Sequence, residues 1–254
     1  MIHVENLTKE FGGYKAVDHV NLSVQSGEIF GFLGPNGAGK TTTIKMLAGL
    51  LKPDRGNIFI GGRDLAIEPQ LCKKITGYIP DRPYLYEKLT GDEFLQFIAS
   101  LYEVSPSRFA KLVPEYLGLF DLSEWRHHLI ESYSHGMRQK LIITSAFILE
   151  PPLIVVDEPM VGLDPKSARI VKELFRKHAR NGGTVFLSTH SLEIAEELCD
   201  RIAIIIQGKI NNIGNIDSLR AEAKMAGSKL EDIFLELTGA YELQEVINAL
   251  RSDE

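Results

Sequence analysis

Ile2 and Val4, and later Val20, Leu22 and Val24, alternate with polar neighbours, the two-residue period of strands that bury one face. Gly27 closes the second run as a turn. Ile29-Phe30-Gly31-Phe32-Leu33 is apolar without a break. It therefore predicts a central strand covered on both faces, and it runs straight into a glycine-rich stretch. Ile58 and Ile60 before Gly61-Gly62 mark another short strand and turn, so the first sixty residues combine one buried strand with antiparallel ones. Between about residue 82 and residue 150 the period lengthens. Phe94, Phe97, Ile98 and Leu101, then Leu112, Tyr116 and Leu119, recur at helical spacing and predict an inserted helical segment. After Pro151-Pro152 strands and helices alternate: Leu153 to Val156, a helix over Ala168 to Arg180, Thr184 to Leu187, a helix over Leu192 to Cys199, then Ile202 to Ile206. Such alternation predicts a mainly parallel sheet. The last forty residues read as small helices, with no repeat or long linker.

Composition narrows what these elements serve. With 254 residues, 44% hydrophobic and 24% charged, the chain is an ordinary globular one with room for a sizeable core. A net charge of -6 argues against a protein that holds nucleic acid by neutralising phosphates, so no nucleic-acid partner is expected. Cys72 and Cys199 are far apart and belong to no Cys/His cluster, which removes a disulfide framework and a zinc site and fits a reducing compartment. The longest apolar runs are far shorter than the roughly 18 residues of a membrane-spanning helix. Met1 to Glu5 lacks a charged region leading into an apolar one. The chain is expected in the cytoplasm, with any membrane role exercised through a partner.

Gly34-Pro35-Asn36-Gly37-Ala38-Gly39-Lys40-Thr41-Thr42, after the first buried strand, matches G-x-x-x-x-G-K-[ST]. Its glycines let successive backbone N–H groups face inward, the following helix presents its positive end, and Lys40 reaches the terminal phosphates of a nucleotide. Thr41 is placed to ligate magnesium. A glycine turn capping a helix is the plain alternative. Leu153-Ile154-Val155-Val156-Asp157-Glu158-Pro159 adds two carboxylates at the end of an apolar strand. Because adjacent strand residues point to opposite sides, Asp157 is assigned to the metal and Glu158 to the attacking water as general base. An exposed acidic turn is the alternative here. No N-K-x-D stretch occurs, which disfavours guanine and makes ATP with Mg2+ the expected pair.

Ser132-Tyr133-Ser134-His135-Gly136-Met137-Arg138-Gln139-Lys140-Leu141 admits three readings by itself: a nucleophile with its base, an anion-binding turn, or a polar helix start. No G-x-S-x-G elbow accompanies it.

Taken in order, these segments resemble the ATP-binding subunit of an ABC transporter over roughly residues 1 to 215. The phosphate loop, the strand ending in Asp157-Glu158, Gly162-Leu163-Asp164-Pro165 in the place of the D-loop, and Ser188-Thr189-His190 with the switch histidine follow the family's sequence. Tyr133-Ser134-His135-Gly136-Met137 occupies the place of the signature L-S-G-G-Q, with His135 for the first glycine and Met137 for the glutamine.

The resemblance implies an α/β fold: a P-loop NTPase core with a mainly parallel sheet (1–81 and 151–215), an N-terminal antiparallel β subdomain, and a helical subdomain inserted at 82–150. A C-terminal helical extension covers 216–254. It further implies that Ser134 and the Gly136 backbone bind the terminal phosphate held by a second copy, that His190 contacts the transferring phosphate, and that Phe11 stacks on adenine. Asp81, where the family commonly has glutamine, keeps an oxygen for magnesium. The partners implied are a second nucleotide-binding subunit and integral membrane permease subunits, so the chain would sit peripherally on the cytoplasmic face. Coupling helices would dock around Tyr84, Leu85 and Tyr86. The signature and Asp81 are similar to the branch that serves exporters with separate membrane subunits. A soluble ABC-type ATPase acting outside transport is the rival, and no second cassette, coiled coil or zinc module supports it.

Overall fold

The structure, a computed structural model, describes residues 1–222 and Phe234. Its first two strands, β1 (Ile2–Phe11) and β2 (Tyr14–Val24), are longer than the alternation at their outer ends suggests. They meet at a two-residue turn in which Gly12 (φ 56°) and Gly13 (φ 85°) are both left-handed, the conformation a tight hairpin requires. Phe11 and Tyr14 are consequently direct cross-strand partners. β3 (Ile29–Leu33) is buried along its whole length and feeds the phosphate loop and α1 (Lys40–Leu47).

β4 (Arg55–Ile60) and the short β5 (Arg63–Asp64) complete an antiparallel sheet of order β2-β1-β4-β5. After α2 (Pro69–Lys74), which lacks a sequence pattern long enough to announce it, comes β6 (Thr76–Ile79). Gly77, Tyr78 and Ile79 belong to β6, paired in parallel with Leu153–Asp157, and the loop that carries Asp81 begins at Pro80.

The inserted segment is α3 (Gly91–Leu101), α4 (Pro106–Leu119) and α5 (His135–Phe147). Residues 82–90 precede the first helix and are not helical. Thr90 starts α3 with a reciprocal pair of bonds to Glu93, and Ser105 caps α4. The expected apolar faces are rotated. On α3 the buried residues are Phe94, Leu95 and Ala99, leaving Phe97 46% and Leu101 63% exposed; on α4 Leu112, Val113, Tyr116 and Leu117 are inside and Leu119 is not. Helical spacing was read correctly, but only packing against the neighbouring helices selects which side is covered.

β7 (Leu153–Asp157), α6 (Pro165–Arg180), β8 (Thr184–Thr189), α7 (Leu192–Leu198), β9 (Arg201–Ile206) and β10 (Lys209–Gly214) follow, then α8 (Ile216–Glu222). β10, an edge strand with only half-buried alternate residues, was not anticipated. Beyond α8 and apart from Phe234, the expected C-terminal helices lie outside the described residues. The second sheet has order β10-β9-β3-β8-β7-β6 and is parallel except for β10. Its core layers explain the unbroken apolar runs. Leu153 and Val155 of β7 pack with Phe30, Phe32 and Phe186 on one face, while Ile154 and Val156 pack with Leu33 and Leu187 on the other. Both faces exclude water, so no polar residue is tolerated between the ends of these strands. The phosphate loop, Asp81, Asp157-Glu158 and His190 therefore fall at or just beyond the carboxyl ends of the parallel strands β3, β6, β7 and β8, where α/β folds bind ligands.

Candidate functional site

The phosphate loop is shaped by contacts that exclude a side chain. Gly39 has φ 108°, and a methyl group on it would lie 2.2 Å from the Ala16 carbonyl oxygen; one on Gly34 would lie 2.3 Å from that of Ile205. Glycine at these places is thus a requirement of backbone approach. Ala38 is buried and supports the loop: its N–H donates to Pro35 O (3.2 Å) and its carbonyl accepts from Gly208 N (3.0 Å). Asn36, Gly37, Gly39, Lys40, Thr41 and Thr42 face a cleft, whereas Gly34, Pro35 and Ala38 do not line it. α1 starts at Lys40 without a side-chain cap, leaving its first N–H groups available to an anion. Lys40, only 7% exposed, donates from Nζ to the carbonyls of Gly34 (2.7 Å) and Pro35 (3.2 Å). Burial lowers its pKa below the ordinary lysine value, against the opposing pull of Glu158 and Asp157.

Asp157 is 1% exposed. Its Oδ1 accepts a bond from the Ser188 hydroxyl on β8, whereas its Oδ2 is buried without a protein partner. A buried carboxylate oxygen left unpaired is costly, and a hard cation is the group that such an oxygen suits. The residues at hand thus fit magnesium, with Thr41 lining the adjoining cleft.

Glu158 departs from the expectation in one respect. β7 ends at Asp157, and Glu158 adopts φ 48°, so a left-handed turn, rather than the pleat of the strand, sends the two acids apart. Its N–H donates to Ser188 O (3.2 Å), and Oε1 lies 2.9 Å from Nδ1 of His190. Glu158, His190 and Asp81 line the same cleft as the phosphate loop, although they come from different strand ends. Asp81 Oδ1 accepts from Arg82 N (2.8 Å).

Phe11, 49% exposed, also lines the cleft. Beside it stand Tyr14 and Ala16, which sequence reasoning missed; the Tyr14 hydroxyl bonds to Gly37 O at 3.4 Å. The hairpin glycines were the available signal, since they make residues 11 and 14 neighbours. Tyr78 was also passed over. Burial raises its phenol pKa above the ordinary value, and the nearby Asp157, Asp81 and Tyr84 add to the rise.

Ser134 and Gly136 are not brought to this cleft. Ser134 caps α5, its Oγ accepting from Met137 N at 3.3 Å, and no acid–base partner joins it. The nucleophile reading has no geometric support, and the stretch is a helix start that does not line the chain's own nucleotide cleft.

Comparison with known proteins agrees with this arrangement. The sequence profile described as ABC transporter matches residues 17–161. The chain is 34% identical over 238 residues to the ABC-type transporter ATP-binding protein EcsA of Bacillus subtilis, covering 94% of this chain and 96% of that protein. It is 38% identical over 220 residues to the daunorubicin/doxorubicin resistance ATP-binding protein DrrA of Streptomyces peucetius, covering 87% and 67%. A solved ATP-binding subunit of an ABC transporter is similar with a TM-score of 0.90 at 36% identity, covering 94% and 99%. A dimeric ATP-binding cassette in a post-hydrolysis state with ADP and Pi gives a TM-score of 0.77 at 25% identity, covering 85% and 99%.

Proposed function

Because the chain belongs to the ABC transporter family, we propose that it acts as one of two identical nucleotide-binding subunits that close around two ATP molecules and drive a separate membrane permease in the direction of export. It is an ATP-binding, ATP-hydrolysing subunit, and no helix among the described residues is long and apolar enough to cross a membrane. The likeness to a drug-resistance ATP-binding protein supports export. A peripheral position on the cytoplasmic face follows if the permease holds it there.

In this proposal residues 1–81 and 151–215 are the nucleotide-binding core, 82–150 the helical part that meets permease and partner, and 216–254 an extension. Phe11 stacks on the adenine, for which dispersion on a flat ring suffices. The N–H groups of Asn36, Gly37, Gly39, Lys40, Thr41 and Thr42 and the ammonium of Lys40 hold the phosphates, with Gly34, Pro35 and Ala38 shaping the loop behind them; the ammonium exchanges its bonds to Gly34 and Pro35 for phosphate oxygens. Thr41 and Asp157 would hold Mg2+, with the Asp81 carboxylate in the cleft lining offering a further oxygen; when bound, the ion would neutralise charge on the phosphates. Glu158 accepts the proton of the attacking water, and His190 at 2.9 Å holds that carboxylate in place and faces the transferring phosphate. Ser134 and Gly136 contact the terminal phosphate in the partner's cleft. Tyr84, 83% exposed, and Tyr86, whose ring meets the edge of Phe97 at 5.6 Å, offer the permease an aromatic surface.

The observation that carries this reading is the convergence of Lys40 and the Glu158–His190 pair on one cleft, with the unpaired Asp157 oxygen buried next in the chain to Glu158. Magnesium titration of ATP turnover in the parent and in Asp157→Asn tests it. We expect the parent to require magnesium and the variant to be severely impaired at saturating metal; equal turnover in both would remove Asp157 from the metal site. Purification from solubilised membranes tests the transport half, for which an integral membrane protein is expected to accompany the chain.

A further inference from the structure

We propose that His135, which stands in place of the first signature glycine, is a positioning residue: it clamps the turn that follows Glu158 to the signature helix of the same chain. The catalytic base of one site and the phosphate contact offered to the other site then move as one body. The inference rests on the reading of Ser134 and Gly136 as contacts to the partner's nucleotide.

Three contacts make the clamp. Gly162 has φ 78°, and the face where a side chain would stand is covered by the His135 ring: a methyl group there would lie 2.5 Å from Cδ2 and 2.8 Å from Nε2. One residue on, a methyl group at Gly136 would lie 2.8 Å from Gly162 O, so the two backbones touch as well. One helical turn further, Lys140 Nζ pairs with Asp164 Oδ2 at 2.9 Å, on the same side of α5 as position 136. Asp164 is itself held, since it caps α6 by accepting from Ser167 N (2.9 Å) and Ser167 Oγ (2.7 Å). Lys140 first, and then these two bonds, keep its carboxyl well below the usual range. Met160 and Leu163 of the turn and Met137 of α5 pack against one core cluster.

The turn transmits position because it is short and bonded: Val161 N donates to Glu158 O (3.2 Å) and Leu163 N to Met160 O (3.3 Å). Displacing Gly162 therefore displaces the backbone of Glu158. Glycine at 135 would leave Gly162 uncovered and let the turn shift against α5. The imidazole removes that freedom by packing, without any bond that depends on its protonation.

A double-mutant cycle on His135 and Gly162 reads this directly. Gly162→Ala should lower kcat about tenfold or more in the parent, because the methyl group meets the ring. In His135→Gly the same substitution should cost about threefold or less, leaving only the left-handed strain common to both backgrounds. Equal losses in the two backgrounds, or no loss in the parent, would overturn the clamp. His135→Gly alone guards against a misfolded alanine variant: its ATP affinity as a monomer should match the parent, while the Hill coefficient of turnover falls from about 2 toward 1. His135→Phe, which keeps a flat ring, should restore the parent's coefficient. An unchanged coefficient in His135→Gly would also overturn the proposal. Ser134→Arg in the Glu158→Gln background separates the underlying reading, because ATP-driven dimerisation there depends on the trans contact and not on His135. If that variant still dimerises, the trans reading fails whatever the cycle gives; if it does not and the cycle is additive, only the clamp fails.

Discussion

Lys40 is the one lysine or arginine among the described residues that lines the phosphate cleft, and its two present bonds are to carbonyls that lose nothing irreplaceable when phosphate arrives. Lys40→Ala is expected to abolish productive ATP binding, checked by equilibrium binding of a fluorescent nucleotide. The lowered pKa of this lysine gives a pH signature with two opposite signs. Phosphate needs the protonated form, so ATP affinity should fall as pH rises through the depressed value, earlier than an ordinary lysine would allow. Over the same window the unfolded chain holds more protons than the folded one, so stability without nucleotide should gain from this group as pH rises. Binding and melting curves across the alkaline range test both; an affinity flat to the ordinary lysine pKa would refute the burial effect. Glu158→Gln removes a proton acceptor while keeping the shape of the side chain. It should bind ATP as the parent does and turn it over about a hundredfold more slowly or worse. Fast turnover would place the base elsewhere.

At the scale of the element, α5 shows one side chain with two separable duties. Ser134 caps the helix in its own chain and is proposed to touch phosphate in the partner. Alanine would confound these, because losing a cap costs about 1 kcal/mol by itself. Aspartate separates them: it caps a helix as well as serine does, but brings a negative charge against the partner's phosphate. Ser134→Asp should therefore melt at the parent's temperature, within a degree or two, and lose ATPase activity. Retained activity at unchanged stability would mean that Ser134 is only a cap. The phosphate loop offers the complementary case, where an element tolerates no added atom. Gly39→Ala would drive a methyl group to 2.2 Å from the Ala16 carbonyl oxygen, so loss of nucleotide binding is expected before any loss of the sheet.

For the whole molecule, the proposed contact in trans turns on where one chain places the cleft and the start of α5. The cleft contains the phosphate loop, Glu158 and His190, while Ser134 and Gly136 lie elsewhere. Closure in trans predicts that Glu158→Gln forms a dimer only with ATP, and that Ser134→Arg abolishes this dimer while leaving monomer binding intact. Size-exclusion chromatography with and without ATP distinguishes the outcomes, and equal dimer formation in both variants would refute the trans contact.

The elements that the sequence determined by itself are those in which local chemistry admits one structure. β3 and β7 were legible because strands covered on both faces must be apolar throughout, and the phosphate loop because its glycines, lysine and threonine have few other uses together. Legibility stopped where a side chain's surroundings come from distant parts of the chain. The helix was legible from the spacing of Phe94, Phe97, Ile98 and Leu101, but its covered side depends on how α3 packs against its neighbouring helices, which leaves Phe97 and Leu101 exposed. The separation of Asp157 from Glu158 was expected from the pleat, but a left-handed residue produces it, a strain held only by the surrounding bonds. Tyr14 joins the cleft through a hairpin turn, and β10 exists because β9 leaves an edge to pair with. His135 is the extreme case. The sequence shows only a histidine in the place of a signature glycine, and its covering of Gly162 exists only because the fold brings α5 against the turn after Glu158, a contact between segments more than twenty residues apart.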